Sequence, residues 1–293
     1  MTENKFYISI EEKLKEKMGN EVHIKLQQVK KNNNVLYHGL VIQKEECNIA
    51  PTIYLDSFYS LYEKGKCVEE IVEEIIQVYN RGDVKGSLDM DFFREFDKVK
   101  NKIAYKLINA ERNKELLERV PHVLMLDLAI CFYYAFYDES LGEGMILIHN
   151  THMEMWKTNH EELMKLAQKN TKRLFPSVLI GMNALLKDMM LKDECAGMYV
   201  LTNEQKCQGA AVMLYSEVLE KAAKKLGGNF FILPSSIHEV ILLKDHGYED
   251  AESLKEMIAE ANRTQVAEEE ILSDYPYYFD CAENKISRLE AVR

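Results

Sequence analysis

Apolar residues recur at Phe6, Ile10, Leu14 and Met18 with charged residues between them, which predicts an amphipathic helix closed by Gly19. Val22, Ile24 and Leu26 then alternate with His23, Lys25 and Gln27. After the polar stretch Lys30 to Asn34, Leu36, Leu40 and Ile42 continue in the same manner, so 22–42 predicts a β-hairpin. The clearest helical stripe is Val68, Ile71, Val72, Ile75, Ile76 and Tyr79, with Glu69, Glu70, Glu73 and Glu74 on the other side. The segment from Asn80 to Ser87, with two glycines, breaks the pattern and reads as a loop or linker.

Weak alternation over 102–108 predicts a strand, and 113–120 a short helix cut by Pro121. Two apolar runs, Val123 to Phe136 and Met145 to Ile148, flank a turn containing Gly142 and Gly144, which predicts a buried hairpin. Thr158 to Glu161 has the form of a capping box and opens a helix with Leu163, Leu166, Ala167 and Leu174 inward. Pro176 ends it, and Val178 to Met190 predicts a further helix. Met198 to Thr202 predicts a strand. Val218, Leu219, Ala222, Ala223 and Leu226 mark a helix that ends at Gly227-Gly228. Phe230 to Leu233 and Ile237 to Leu243 read as strands joined by a Pro234-Ser235-Ser236 turn. Leu254, Met257, Ile258 and Ala261 give a last helix, and the aromatic tail around Tyr277 pairs with 285–289 as an edge hairpin. Because the elements are mixed rather than strictly alternating, the expected class is α+β, with largely antiparallel sheets and flanking amphipathic helices. The expected organisation is an N-terminal α+β part over 1–115 and a C-terminal one over 116–293.

Composition narrows the function classes. With 37 Lys and Arg against 48 Asp and Glu, the formal net charge is −11, which repels a phosphate backbone; no nucleic-acid partner is expected. Lys221, Lys224 and Lys225 are read as the solvated side of a helix. The most apolar segment, Val120 to Phe136, is too short to span a bilayer and contains Pro121 and Asp127, so no membrane partner is expected. Met1 to Lys5 has no long apolar run behind it, which predicts no signal peptide. The six cysteines form no CxxC pair, which predicts reduced thiols in the cytoplasm. No four-ligand spacing is present, so no structural metal is expected, and no cofactor motif is found.

Candidate chemistry is sparse. Ser235, Ser236 and His238 place hydroxyls and an imidazole close together, as a nucleophile and its base require, but no GxSxG elbow accompanies them. Asn203, His160 and Trp156 are candidate ligand-binding residues; a single tryptophan serves equally as a core anchor. His149 and His152 form no HExxH pattern. Cys207, next to Lys206, is a thiol whose reactivity depends on exposure.

The pieces WKTNHEELMKLAQKNT (156–171), MYVLTNEQKCQGAAVMLY (198–215) and FILPSSIHEVILL (231–243) resemble an uncharacterised bacterial domain-of-unknown-function family common in Clostridia and other gut Firmicutes. The likeness runs from about residue 35 onward and implies a bacterial, cytosolic protein. It supplies no catalytic residue. The leading expectation is a binding or regulatory module without catalysis, with a protein among the possible partners. The alternative is a hydrolase or transferase assembled from Ser235, Ser236, His238, Asn203 and His160; convergence of these five side chains in one pocket separates the two.

Overall fold

A computed structural model describes residues 1–19, 22–44, 50–82, 91–138, 142–185, 197–248 and 250–289. The fold is α+β with mostly antiparallel sheets. The chain divides into two compact units, one of Met1–Phe92 with Tyr137–Gly144 and one of Phe93–Phe136 with Met145–Arg293. Among the described residues no helix is long and apolar enough to cross a membrane.

The first unit is a helix layer on a three-stranded sheet. Helix α1 (Glu3–Met18) is followed by β1 (Val22–Lys30), β2 (Leu36–Lys44), β3 (Thr52–Tyr54), α2 (Asp56–Glu63) and α3 (Val68–Arg81), with sheet order β1-β2-β3. The predicted hairpin is present, and its register pairs Ile24 with Ile42 and Leu26 with Leu40. Period-2 burial on the sheet meets period-3.6 stripes on the helices, so Ile24, Leu40, Ile42 and Ile53 pack with Phe6, Ile10 and Leu14 of α1 and Ile71, Val72 and Ile75 of α3. The acidic side of α3 is not left to solvent alone. Lys13 meets Glu69 at 2.8 Å, and Lys17 pairs with Glu73, one helical turn further along both helices.

In the second unit, α4 (Phe96–Val99), β4 (Ile103–Asn109), α5 (Lys114–Leu117), β5 (His122–Met125), β6 (Leu128–Asp138) and β7 (Gly142–Leu147) come first, the segment Tyr137–Gly144 being counted with the first unit, and β6 is paired to β4, β5 and β7. β6 and β7 pair as the hairpin expected over 123–148, but a turn at Leu126-Asp127 splits the first run into β5 and β6, and β5 and β7 are only partly buried. Then follow α6 (Asn150–Trp156), α7 (His160–Leu174), β8 (Ser177–Gly181), α8 (Met182–Leu185), β9 (Met198–Asn203), α9 (Ser216–Leu226), β10 (Phe230–Ser236), β11 (Glu239–Lys244), α10 (Ala251–Thr264), β12 (Tyr277–Asp280) and β13 (Lys285–Arg288). The second sheet of this unit has the order β13-β12-β10-β11-β9-β8. Phe230, Ile232, Leu242, Tyr277 and Phe279 are fully buried on one face, while Phe231 and Leu233 pack on Leu254 and Ile258 of α10.

Strand β4 would leave a free edge, and α7 closes it. Thr171 Oγ1 accepts the Tyr105 amide at 3.0 Å, and Asn170 Nδ2 donates to the Ile103 carbonyl at 2.9 Å.

Three expectations are corrected. The cap of α7 is Asn159, whose side chain accepts from the Glu162 amide at 3.0 Å, while Thr158 Oγ1 donates to the Glu162 carboxylate at 2.7 Å, so the cap sits one residue later than expected. Residues 177–181 form β8 rather than a helix, because pairing with β9 from Ser177↔Asn203 to Gly181↔Tyr199 outweighs a helix-compatible pattern. Only 182–185 are helical; the rest of the predicted helix, and most of the predicted 80–87 loop, lie outside the described residues. Finally, Pro234 and Ser235 lie within β10. The register shifts between Leu233↔Ile241 and Ser236↔Glu239, so two residues face one, and the bulge accommodates a proline that has no N–H for the ladder. The turn is made by Ile237 and His238.

Candidate functional site

The turn of the β10–β11 hairpin gathers several of the expected residues. His238 donates its amide to Ser236 Oγ at 3.0 Å. Its ring Nδ1 accepts the Gln208 amide at 3.3 Å, and Nε2 faces Glu270 Oε1 at 3.3 Å. An Nδ1 that accepts a backbone N–H carries no proton itself, so the proton sits on Nε2 and points at the Glu270 carboxylate. Both ring nitrogens are thereby engaged. The turn is clamped further by Thr202 Oγ1 donating to the His238 carbonyl at 2.7 Å and by the Ile237 amide donating to the Glu270 carbonyl at 2.8 Å.

Asn203 stands at the end of neighbouring β9 and holds the following loop from both sides, accepting the Cys207 amide at 3.2 Å and donating to the Cys207 carbonyl at 2.7 Å. Ser235 is half-buried on the bulge. His160 is exposed at the first position of α7 and makes none of these contacts. Trp156 is buried; its Nε1 donates to the Phe93 carbonyl at 2.8 Å and its ring packs edge-on against Phe93 at 5.1 Å. His149 and His152 sit at the start of α6, where His152 Nδ1 accepts the His149 amide at 3.0 Å; burial, and then the His149 ring, lower the His152 pKa.

A groove of about 460 Å³ lies elsewhere in the second unit, lined by Met125, Ile130, Met164 and Leu214 with Gln168, Lys172 and Ser216 at its polar side. Lys172 is held there by Glu217 at 2.7 Å. Burial pushes the Glu217 carboxyl up, but the Lys172 hydrogen bond and charge outweigh it and hold the group below its ordinary value. Lys172 therefore keeps a carboxylate partner. The methionines offer adaptable apolar surface.

On the core side of β4, Lys106 stands opposite Cys131 of β6. Burial pulls the Lys106 pKa down, outweighing a smaller upward pull from Cys131 and Cys207, and pushes the Cys131 thiol up to about 12. The unfolded chain binds a proton that the folded chain releases earlier, so wild-type stability rises with pH up to the ordinary lysine value of 10.5. Lys106→Met is expected to gain about 1–2 kcal/mol at neutral pH. The gain should shrink as pH climbs through that window; urea denaturation across a pH series measures it, and a pH-independent difference would count against the buried-charge account.

In the first unit a second group meets that no local motif announced. Glu3 of α1, His38 of β2 and Asp56 of α2 each offer a ligand atom, and these atoms lie within 4.8 Å of one another. Each residue alone looks ordinary in sequence: an acidic residue in a helix's first turn, a polar strand position and a helix-starting aspartate. The only local hint is that Tyr7 and Glu3 are one helical turn apart, with the Tyr7 hydroxyl donating to Glu3 Oε1 at 2.7 Å.

Comparison with curated proteins and with solved structures returns no match. The model of DUF5688, a family of unknown function, matches residues 3–281, which takes the likeness past residue 35 back into α1 and forward through the β10–β11 turn, the groove and β12. With nearly the whole chain covered, the protein belongs to the DUF5688 family.

Proposed function

We propose that the protein is a non-catalytic binding module whose groove in the second unit takes a small molecule with an apolar body and a hydrogen-bond-accepting, preferably anionic, end. The observation that carries this reading is the pairing in one groove of Met125, Ile130, Met164 and Leu214 with Gln168, Lys172 and Ser216. The apolar side chains give area, and the polar ones give orientation. The hydrolase or transferase alternative is less well supported, because His238 spends both ring nitrogens on Gln208 and Glu270 and Ser236 Oγ receives the amide of His238 itself. The proposal places the module in a bacterial cytoplasm, on the strength of the clostridial resemblance and of the free thiols at Cys67, Cys131 and Cys281.

A thermal-shift panel of short alkyl and aryl carboxylates tests the groove. At least one should raise Tm saturably, since a ligand at a hundredfold excess over Kd stabilises by about 2.7 kcal/mol. Met164→Trp, which fills the groove, and Lys172→Gln should remove that shift while leaving the unliganded Tm close to wild type. A shift that survives both substitutions counts against the groove. Labelling of Ser236 by a fluorophosphonate, lost in His238→Ala, would overturn the non-catalytic reading.

A further inference from the structure

We propose that Glu3, His38 and Asp56 form an open three-donor site for a divalent transition-metal cation, with Zn²⁺ the fitting occupant. It is independent of the groove and lies in the first unit. The donors come from three different elements, the first turn of α1, the middle of β2 and the start of α2, and their ligand atoms already fall within 4.8 Å of one another.

Each donor is held by a neighbour rather than left to swing. The His38 amide donates to Asp56 Oδ2 at 2.9 Å while His38 Nδ1 lies 3.2 Å from Asp56 Oδ1, so one carboxylate oxygen is anchored to backbone and the other faces the imidazole. The Leu55 amide donates to the His38 carbonyl at 2.8 Å, which ties β2 to the residue just before α2. The Tyr7 ring is fully buried and stacks on the His38 ring with centroids 4.2 Å apart. Its hydroxyl meets Glu3 Oε1. A buried aromatic that orients both an imidazole and a carboxylate is the kind of outer support that metal ligands receive.

The donor set selects the cation class. Two carboxylates alone would suit Mg²⁺ or Ca²⁺, but an imidazole nitrogen shifts preference to borderline ions such as Zn²⁺ and Co²⁺. Three protein donors leave positions for water, the arrangement of an accessible rather than a closed structural zinc site. Glu3, in the first turn of its helix, is the most exposed of the three ligands. The competing reading is a plain His38–Asp56 ion pair that fastens β2 to α2, in which Glu3 has no part.

The full-length protein, dialysed against a chelator, is titrated with Co²⁺ while visible absorbance is followed, and Zn²⁺ is then added. We expect one Co²⁺ per chain with a ligand-field spectrum that Zn²⁺ abolishes. Asp56→Asn and His38→Gln should remove binding. Glu3→Gln leaves the His38–Asp56 pair intact and should weaken binding about 10–100-fold, as should Tyr7→Phe acting through Glu3 and the stacked ring. Circular dichroism verifies folding, and Glu3→Gln, on the helix surface, keeps the test decisive if Asp56→Asn unfolds. Absence of Co²⁺ binding below millimolar concentration, or binding indifferent to Glu3→Gln, overturns the proposal.

Discussion

Gly209→Ala should be among the most damaging single-methyl additions in this chain, lowering stability by about 3 kcal/mol or more. A Cβ at this position would overlap Thr202 Oγ1 and the His238 carbonyl oxygen and stand 2.9 Å from the Asn203 amide nitrogen. None of these can retreat cheaply. Thr202 is buried, and its hydroxyl is committed to the His238 carbonyl at 2.7 Å. The amide of Ala210, next in the chain, donates to the Ile237 carbonyl at 3.2 Å. Making room therefore means parting the β10–β11 turn from the segment after β9 and breaking buried hydrogen bonds. Gly39→Ala provides the contrast: there the new methyl meets side-chain methyls of Thr52 and Val29, at 2.6 and 2.8 Å, which can shift. Urea denaturation should show a large fall in midpoint for Gly209→Ala at unchanged slope and a smaller one for Gly39→Ala. A loss below about 1 kcal/mol for Gly209→Ala would remove the steric argument.

Asp127→Ala should cost about 2–4 kcal/mol, because it strands two hydroxyls that have no water to turn to. Asp127 lies in the β5–β6 turn and accepts from Ser273 Oγ at 2.6 Å and from the Tyr277 hydroxyl at 3.0 Å. Ser273 and Tyr277 are both fully buried. Burial, and after it the Asp127 charge, holds the Tyr277 phenol well above its ordinary pKa, so it stays a donor throughout the stable pH range. Tyr277→Phe removes a donor without stranding a polar group on the tyrosine side and should cost about 1 kcal/mol. In a double-mutant cycle the two substitutions should couple by about 1–2 kcal/mol. Additivity in that cycle would show that Asp127 acts through the turn backbone alone.

Much of the scaffold was legible before any coordinates, for reasons particular to each element. Helix α3 carries an uninterrupted apolar stripe with glutamates opposite, and only a helix buries the one and exposes the other. The β1–β2 and β12–β13 hairpins join complementary runs through short polar turns, so pairing is local in sequence. Where the reading went astray, a distant partner decided. Residues 177–181 suit either helix or strand until β9 supplies the ladder. Pro234 signals a break, yet β11 accommodates it by a bulge and the turn moves on to Ile237 and His238.

The candidate sites divide along the same line. That hydroxyls and an imidazole lie close together at 235–238 follows from chain connectivity, because a few bonds guarantee it. Tertiary structure alone decided that Gln208 and Glu270 occupy both nitrogens of that imidazole, that His160 lies apart from it, and that Glu3, His38 and Asp56 meet. The physical reason is one of range. Backbone geometry repeats every two or 3.6 residues and writes itself into spacing within an element. Contacts between elements follow from burying α1 and α3 against a sheet, or β10 against β12, and that burial is a free-energy minimum of the whole unit to which every segment contributes.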